Sequence, residues 1–559
     1  MPVSELVRDL LAKRGVASEE AIQAFLSPDY ALHQHSPSLL SGIERAVARV
    51  FLAMETNERI AIYADFDCDG IPGASVLHDF FEKIGYSNFE VYLPHRDREG
   101  YGFHTDAIEK LGKNGVSLII TVDVGTTAID SVRFAKEKGI DVIVTDHHEI
   151  PGELPDAVAV LNPKLAPYPF PNLCGAGVAF KFVQALLIEG RRRGLENFTK
   201  IPEGWEKWLL DLVAIATVAD MVPLIGENRV LAYWGLQVLR KSPRPGIAAL
   251  CTTTRMRKAS ITEDDIGFMI APRINAASRM DEPDLAFRLL TTDSSTEADL
   301  LAQQLEKLNA SRKGIVAGIV KTVRQRAKAR FGPDEMVVVL GDTEWKPALL
   351  GLAANSIVGD RGGVAVLWGR DVNGKLKGSA RSDGSLSVVA LFSAAADCFD
   401  EYGGHEASGG FSVKPDKVHV LPEALAKAAA SLITELKAEE LISHDALVAL
   451  REISTPLMND ISRLAPFGME NPKPVLRIPR TRIISVRRFG KDKNHTEVTL
   501  VCAETGMIQR AFQYFKAPEH FSRIPEADLQ VDVLATLEID KFGNSSRPVL
   551  RLVDIFASN

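Results

Sequence analysis

From about residue 45 to 225, short apolar runs alternate with stretches of helical character. IAIYA (60–64), VSLIITV (116–122) and IDVIVT (140–145) are nearly continuous and rich in β-branched residues, the pattern of strands buried on both faces of a parallel sheet. PGASVLHDFFEKIGY follows the first run with helical spacing. Strand alternating with helix predicts an α/β domain. Before it, residues 1–44 read as one or two short helices and a polar loop. Residues 296–330 form a long amphipathic stretch without proline and with a basic end, which predicts a connecting helix. A second α/β unit is expected from MVVVLGD (336–342) to the glycine cluster GGHEASGGFSV (403–413), with the helical segment LPEALAKAAASLITELKAEELI after it. Beyond about residue 450, RTRIISVRRF, HTEVTLVCA, MIQRAFQYF and LQVDVLATLEI are separated by the turn signals GKDKN and FGNSS, which predicts a small β-barrel or sandwich. The expected division is 1–44, 45–240, 241–335, 336–445 and 446–559.

At 559 residues the chain exceeds what one core supports. Its net charge of −8 argues against attraction of the whole surface to nucleic acid, but leaves room for a local basic groove. Cys68, Cys174, Cys251, Cys398 and Cys502 are scattered without a CxxC pair, which fits neither a disulfide framework nor a thiolate zinc site. No signal peptide or run of about 20 apolar residues stands out. A cytoplasmic protein without a membrane segment is expected.

The strongest local signal is Asp65-Phe66-Asp67-Cys68-Asp69-Gly70, directly after IAIYA. In an extended segment its three carboxylates share a face, and their repulsion calls for a cation. A calcium EF-hand needs a helix before the loop and Glu at position twelve; here a strand precedes it and Val76 holds that place. Asp123 follows the second strand, Asp146, His147 and His148 follow the third, and Asp220 ends the apolar stretch LVAIATVAD. Alone, each reads equally well as a turn or helix cap. Together, beyond the carboxyl ends of parallel strands, they predict one site. Carboxylate and imidazole without thiolate favour Mn²⁺ or Mg²⁺, with Fe²⁺ and Zn²⁺ as alternatives. So many carboxylates are best balanced by two ions bridged by a shared Asp, an arrangement suited to phosphoryl displacement.

The set DFDCDG, VDVG, TDHHE and ATVADMVPL resembles the four motifs of the DHH phosphoesterase family. PHRDREGYG (94–102), LCGAGVAFKF, GENR, PRINAASRM, GSARS, GGHEASGGF and PFGMENPKP extend the resemblance, in order, to the RecJ single-strand exonucleases. The resemblance implies a DHH-type parallel-sheet catalytic domain, a long helical connector, a smaller α/β DHH-associated domain and a C-terminal OB-like β-barrel. It implies that Asp67, Asp69, Asp123, His147 and Asp220 ligate two Mn²⁺ (or Mg²⁺) ions, with Asp123 bridging. Asp65 and His148 are the implied catalytic residues, His148 contacting the scissile phosphate or assisting the leaving group. Arg96, Arg279, Ser379 and Arg381 would hold the 5′ end and its phosphate, as the planar guanidinium fork allows. Gly403, Gly404 and His405 would line the substrate groove. The chain departs from the family pattern at Pro72, where Thr or Ser is usual, at Ser278, where Gly is usual, and at Lys346-Pro347, where the usual pattern is W-H-x-G.

Residues 473–493 carry Arg480, Arg482, Arg487, Arg488, Lys491 and Lys493 among their eight cations, against the single Asp492. With Phe489, Phe512, Tyr514 and Phe515 they read either as a platform for single strands or as strand residues facing water above core aromatics. The resemblance favours nucleic acid, bound with steep salt dependence. The expected activity is a 5′→3′ exonuclease on single-stranded DNA that releases mononucleotides in recombination and repair. Single-strand-binding protein and a helicase are the candidate protein partners, and the expected state is a monomer. The rival readings are a hydrolase of short oligoribonucleotides or cyclic dinucleotides, and an inactive nucleic-acid-binding scaffold.

Overall fold

The computed structural model describes residues 3–332, 335–432, 443–490, 493–540 and 547–558. Two compact units emerge, one of Met1–Gln34, Pro223–Tyr233 and Glu439–Asn559, the other of His35–Val222 and Trp234–Ala438.

In the second unit, β1 (Arg59–Ala64), β2 (Phe89–Tyr92), β3 (Val116–Val122), β4 (Asp141–Thr145) and β5 (Ala159–Leu161) form a parallel sheet in the order β2-β1-β3-β4-β5. The apolar runs are buried because helices cover both faces. Ala107, Ile108, Leu111, Val132 and Ala135, from the helices Thr105–Lys113 and Ile129–Glu137, pack against Ala61, Tyr63, Ile119, Val142 and Val144. The helix Gly70–Ile84 packs on Gly175–Arg192 and Leu210–Ala219. The edge strands β2 and β5 were not evident in the sequence.

The connecting helix spans Ser295–Arg330, its first turn capped by Ser294, whose hydroxyl accepts the Glu297 N–H. Beyond it, β6 (Val337–Gly341), β7 (Val364–Arg370), β8 (Leu376–Ser382), β9 (Phe399–Gly404) and β10 (Ser408–Val413) make a mixed sheet in the order β6-β7-β8-β10-β9. The connecting helix and the helix Pro347–Arg361 cover one face through Ile319, Val323, Leu349, Leu350 and Ala353. Val388–Ala394 and Leu421–Leu432 cover the other; the rest of the predicted segment, 433–442, lies outside the described residues.

In the first unit, β11 (Ala446–Leu447), β12 (Leu476–Phe489), β13 (His495–Val501), β14 (Ile508–Gln513), β15 (Gln530–Ile539) and β16 (Pro548–Ala557) run in the order β11-β12-β13-β14-β16-β15. A further β12–β15 pairing closes five of them into a barrel, which decides between barrel and sandwich. Alternation of buried and half-buried residues along β13 fills the interior from one face. The helices Glu5–Ala12 and Glu19–Leu26 bury Val7, Leu10, Leu11, Ile22 and Leu26 with Leu464 of the same unit.

Candidate active site

The acidic loops leave β1, β3 and β4, three neighbours in one sheet, at their carboxyl ends. The first loop bends so tightly that a Cβ on Gly70 would lie 2.2 Å from the Asp65 carbonyl oxygen. Asp67 Oδ1 accepts the N–H groups of Asp69 (2.8 Å) and Gly70 (3.2 Å). Asp69 is held by the N–H groups of Gly175 (2.6 Å) and Ala176 (2.7 Å), which open the helix Gly175–Arg192; the amides of a helix start suit a carboxylate. The same glycine lets the helix come close, since a Cβ there would lie 2.6 Å from that of Asp123. Asp123 itself has φ +60°, a conformation disfavoured for residues with a Cβ.

His147 Nε2 lies 3.2 Å from Asp123 Oδ1, 3.6 Å from Asp69 Oδ2 and 3.6 Å from Oδ2 of Asp220, the residue that ends the helix Leu210–Ala219. Asp146 faces away from a ligand role. Buried, it accepts the Thr126 (2.9 Å) and His147 (2.7 Å) N–H groups and bonds His148 Nδ1 at 2.7 Å. Tyr101 Oη is 3.3 Å from the His148 ring nitrogens.

Three overlapping donor groups result. Ligand atoms of Asp65, Asp67 and Asp123 lie within 4.8 Å of one another, as do those of Asp69, His147 and Asp220, while Asp123 also groups with His147 and His148. Burial, and then the charge of Asp67, raises the Asp69 pKa to about 7. Burial, and then Asp69, raises that of Asp220 to about 9. Asp65 and Asp123 are pushed well above the usual carboxylate range, first by burial and then by neighbouring carboxylates. Asp65 Oδ1 and Asp123 Oδ1 are buried without a hydrogen-bond donor, which is costly unless a cation takes the place of one. Burial, reinforced by His148, lowers the His147 pKa to about 4, leaving a neutral imidazole able to ligate. Burial opposes protonation of His148 as well, but its bond to Asp146 wins and raises its pKa. Hard oxygen donors with imidazole, in overlapping groups joined through Asp123 and His147, fit a pair of divalent ions.

Beside this centre the Arg96 guanidinium lies over the Phe66 ring, 4.9 Å from its centroid. Arg279 Nη1 donates to the Ala348 carbonyl at 2.6 Å, in the first turn of Pro347–Arg361. A Cβ on Gly351 would lie 2.7 Å from Arg381 Nη2 and 3.3 Å from Ser379 Oγ, so these two side chains sit against the same helix. Burial, and then the charges of Arg96, Arg312 and Arg381, lower the Arg279 pKa to about 9. A crowded set of cations of this kind is relieved by a bound anion. The unusual Lys346 and Pro347 cap and open the helix, where proline is well tolerated. Pro72 likewise stands in the first turn of its helix. Gly403, Gly404 and His405 lie exposed at the β9–β10 hairpin.

In the barrel, Arg482, Arg487 and Arg488 pair with Asp528 (3.8 Å), Glu497 (2.5 Å) and Glu519 (2.6 Å). Arg480 and Lys493 are exposed, and Lys491 lies outside the described residues. The aromatic side chains cluster: His495 makes edge contacts with Phe489, Tyr514 and Phe515 at 5.0, 5.3 and 4.7 Å between centroids. Phe515 is 81% exposed at φ +56°, a strained backbone that presents a ring to solvent.

Asn275 and Tyr101 were missing from the predicted site. Asn275 Oδ1 accepts the Cys68 N–H at 3.0 Å. Both residues stand inside family-like motifs, PRINAASRM and PHRDREGYG, which is the signal that could have found them.

The DHH family N-terminal domain model matches residues 59–217, the DHHA1 domain 334–434 and the RecJ OB domain 444–554. The chain is 32% identical over 559 residues to the single-stranded-DNA-specific exonuclease RecJ of Bacillus subtilis, covering 100% of this chain and 68% of that one. It is 32% identical to RecJ of Haemophilus influenzae, covering 92% and 91%, and 31% identical to RecJ of Escherichia coli, covering 87% and 85%. The crystal structure of RecJ from Thermus thermophilus with Mn²⁺ superposes with a TM-score of 0.78 at 26% identity, over 100% of this chain and 79% of that one; a second crystal structure of the same protein holds Mg²⁺. The DHH domain, the DHHA1 domain and the closed OB barrel occur here in that order, with similarity along the full chain, and the chain belongs to the RecJ family.

Proposed function

We propose that this chain is a metal-dependent exonuclease that shortens single-stranded DNA from its 5′ end, releasing mononucleotides in recombination and repair. The observation that carries this reading is the set of donor groups joined through Asp123 and His147, set beside a cluster of arginines. Asp65, Asp67 and Asp123 would hold one Mn²⁺ or Mg²⁺ ion, and Asp69, His147, Asp220 and the shared Asp123 the other. Such a pair activates water at neutral pH and offsets charge on the entering and leaving oxygens.

The chain's own residues do the rest. Arg96, Arg279 and Arg381, with Ser379, hold the terminal 5′ phosphate and so set the end of the strand. His148, oriented by its Nδ1 bond to Asp146, gives a proton to the departing 3′ oxygen of the terminal nucleotide. The next nucleotide is left with a 5′ phosphate, which becomes the new end. Gly403 and Gly404 leave space for the strand at the hairpin, and His405 lines it. In the barrel, bases stack on the rings around His495, with Arg480 and Lys493 toward the backbone and the paired Arg482, Arg487 and Arg488 contributing less.

Among the described residues no helix is long and apolar enough to cross a membrane. The five cysteines are free and buried, which suits the reducing cytoplasm where we place the enzyme, acting as a monomer on strands opened by a helicase and coated by single-strand-binding protein. The test is digestion of 5′-phosphorylated single strand, duplex DNA and a dinucleotide with Mn²⁺. Mononucleotides from the long single strand alone, lost in Asp69→Ala and His147→Ala, are expected. Equal cleavage of the dinucleotide would favour the oligonucleotide hydrolase.

A further inference from the structure

The helix Ala271–Arg279 touches both halves of the proposed site. Asn275 accepts the N–H of Cys68 at 3.0 Å, in the middle of the Asp65–Asp69 loop. One turn later Arg279 reaches Ala348, at the arginine cluster. Residues four apart share a helix face, about 6 Å apart along the axis. The helix is fixed in place: Arg273 bonds Glu306 of the connecting helix at 2.6 Å and the Met269 carbonyl at 2.6 Å. Ile274, Ala276, Ala277 and Ser278 are fully buried. It is entered through a π-helical turn, Ile266–Ile270, whose extra residue rotates the side chains that follow; such turns recur at functional sites. Ser278, the departure from the usual glycine, donates its hydroxyl to the Asn275 carbonyl at 3.3 Å, within the same turn.

We infer that Asn275 is a positioning residue that fixes the spacing between the terminal-phosphate pocket and the acidic loop, and thereby the length of the released product. This rests on the proposed exonuclease reading. With the terminal phosphate held by Arg279 and its neighbours, the phosphodiester that lies over the carboxylates depends on where the loop stands relative to the helix. The Asn275–Cys68 bond is a direct tether between them. Without it the loop keeps its carboxylates, but their offset from the pocket is no longer set.

The experiment uses the full chain with Mn²⁺ and a 5′-phosphorylated single strand, labelled so that the first product is resolved by length. In Asn275→Ala, kcat is expected to fall about 100-fold because the loop no longer holds one position over the scissile bond, with KM within about twofold because the pocket is intact. Dinucleotides are expected beside mononucleotides. Asn275→Asp, which keeps an acceptor oxygen, should restore single-nucleotide release. Should Asn275→Ala melt below the assay temperature, Asn275→Ser, which also shortens the acceptor, replaces it and should show the same mixed products. Mononucleotides alone from Asn275→Ala or Asn275→Ser, whatever the kcat, would overturn the inference while leaving the exonuclease reading intact. Failure of the wild-type chain to release mononucleotides would instead overturn that reading.

Discussion

His147 Nε2 stands 3.2 Å from Asp123 Oδ1, although the two residues follow different strands. The contact joins the group of Asp65, Asp67 and Asp123 to that of Asp69, His147 and Asp220.

Asp123→Asn is expected to lower activity by at least about 1,000-fold, as loss of a shared ligand removes the charge stabilisation both ions depend on. It should at the same time raise the melting temperature of the metal-free protein by about 2–4 °C, since a buried, repelling charge is gone. Calorimetry after chelation, with and without added Mn²⁺, separates the two effects. A metal-free variant less stable than wild type would count against a centre strained by its own charges.

The pH dependence of the metal-free protein follows from the same repulsion. The folded pKa values of Asp69 (about 7) and Asp220 (about 9) lie above the ordinary carboxylate value, so the fold binds their protons more tightly than the unfolded chain does. Their contribution to stability is complete below about pH 4 and is lost as pH rises through 7 and 9. Melting scans should therefore show the Mn²⁺-induced rise growing from pH 5 to pH 9. A rise independent of pH would contradict this.

Arg381→Ala should reduce the preference for a 5′-phosphorylated over a 5′-hydroxyl single strand by about 10- to 100-fold, the worth of one charge-assisted contact. Mn²⁺ stoichiometry should stay unchanged. The two substrates are compared by initial rate, and metal content by titration.

Phe515→Gly should weaken binding of a long single strand by about 1–3 kcal/mol while slightly raising thermal stability, because glycine accepts the left-handed backbone at φ +56°. Fluorescence anisotropy with a long oligonucleotide measures the first effect and a thermal melt the second.

The catalytic sheet was legible because β1, β3 and β4 are continuous apolar runs, each ending in Asp or His. The edge strands β2 and β5 were not, being four and three residues long, too short for any periodicity to show. Asp146 looks in sequence like one more ligand of the Asp-His-His run; only the fold reveals that Thr126 and His148 occupy its oxygens. The basic stretch 473–493 reads as uncompensated because a local window sees only nearby charges. Its partners Glu497, Glu519, Asp528 and Asp532 come from later in the chain, beyond a turn or across the barrel. Asn275 stands in a legible motif, but its contact with Cys68, 207 residues away, is not readable from the sequence.

Anomalous scattering from a crystal grown with Mn²⁺ tests the central claim most directly. Two peaks are predicted, one among Asp65, Asp67 and Asp123, the other among Asp69, Asp123, His147 and Asp220. A single peak, or none within ligand distance of Asp123, would contradict a two-ion centre built on that residue.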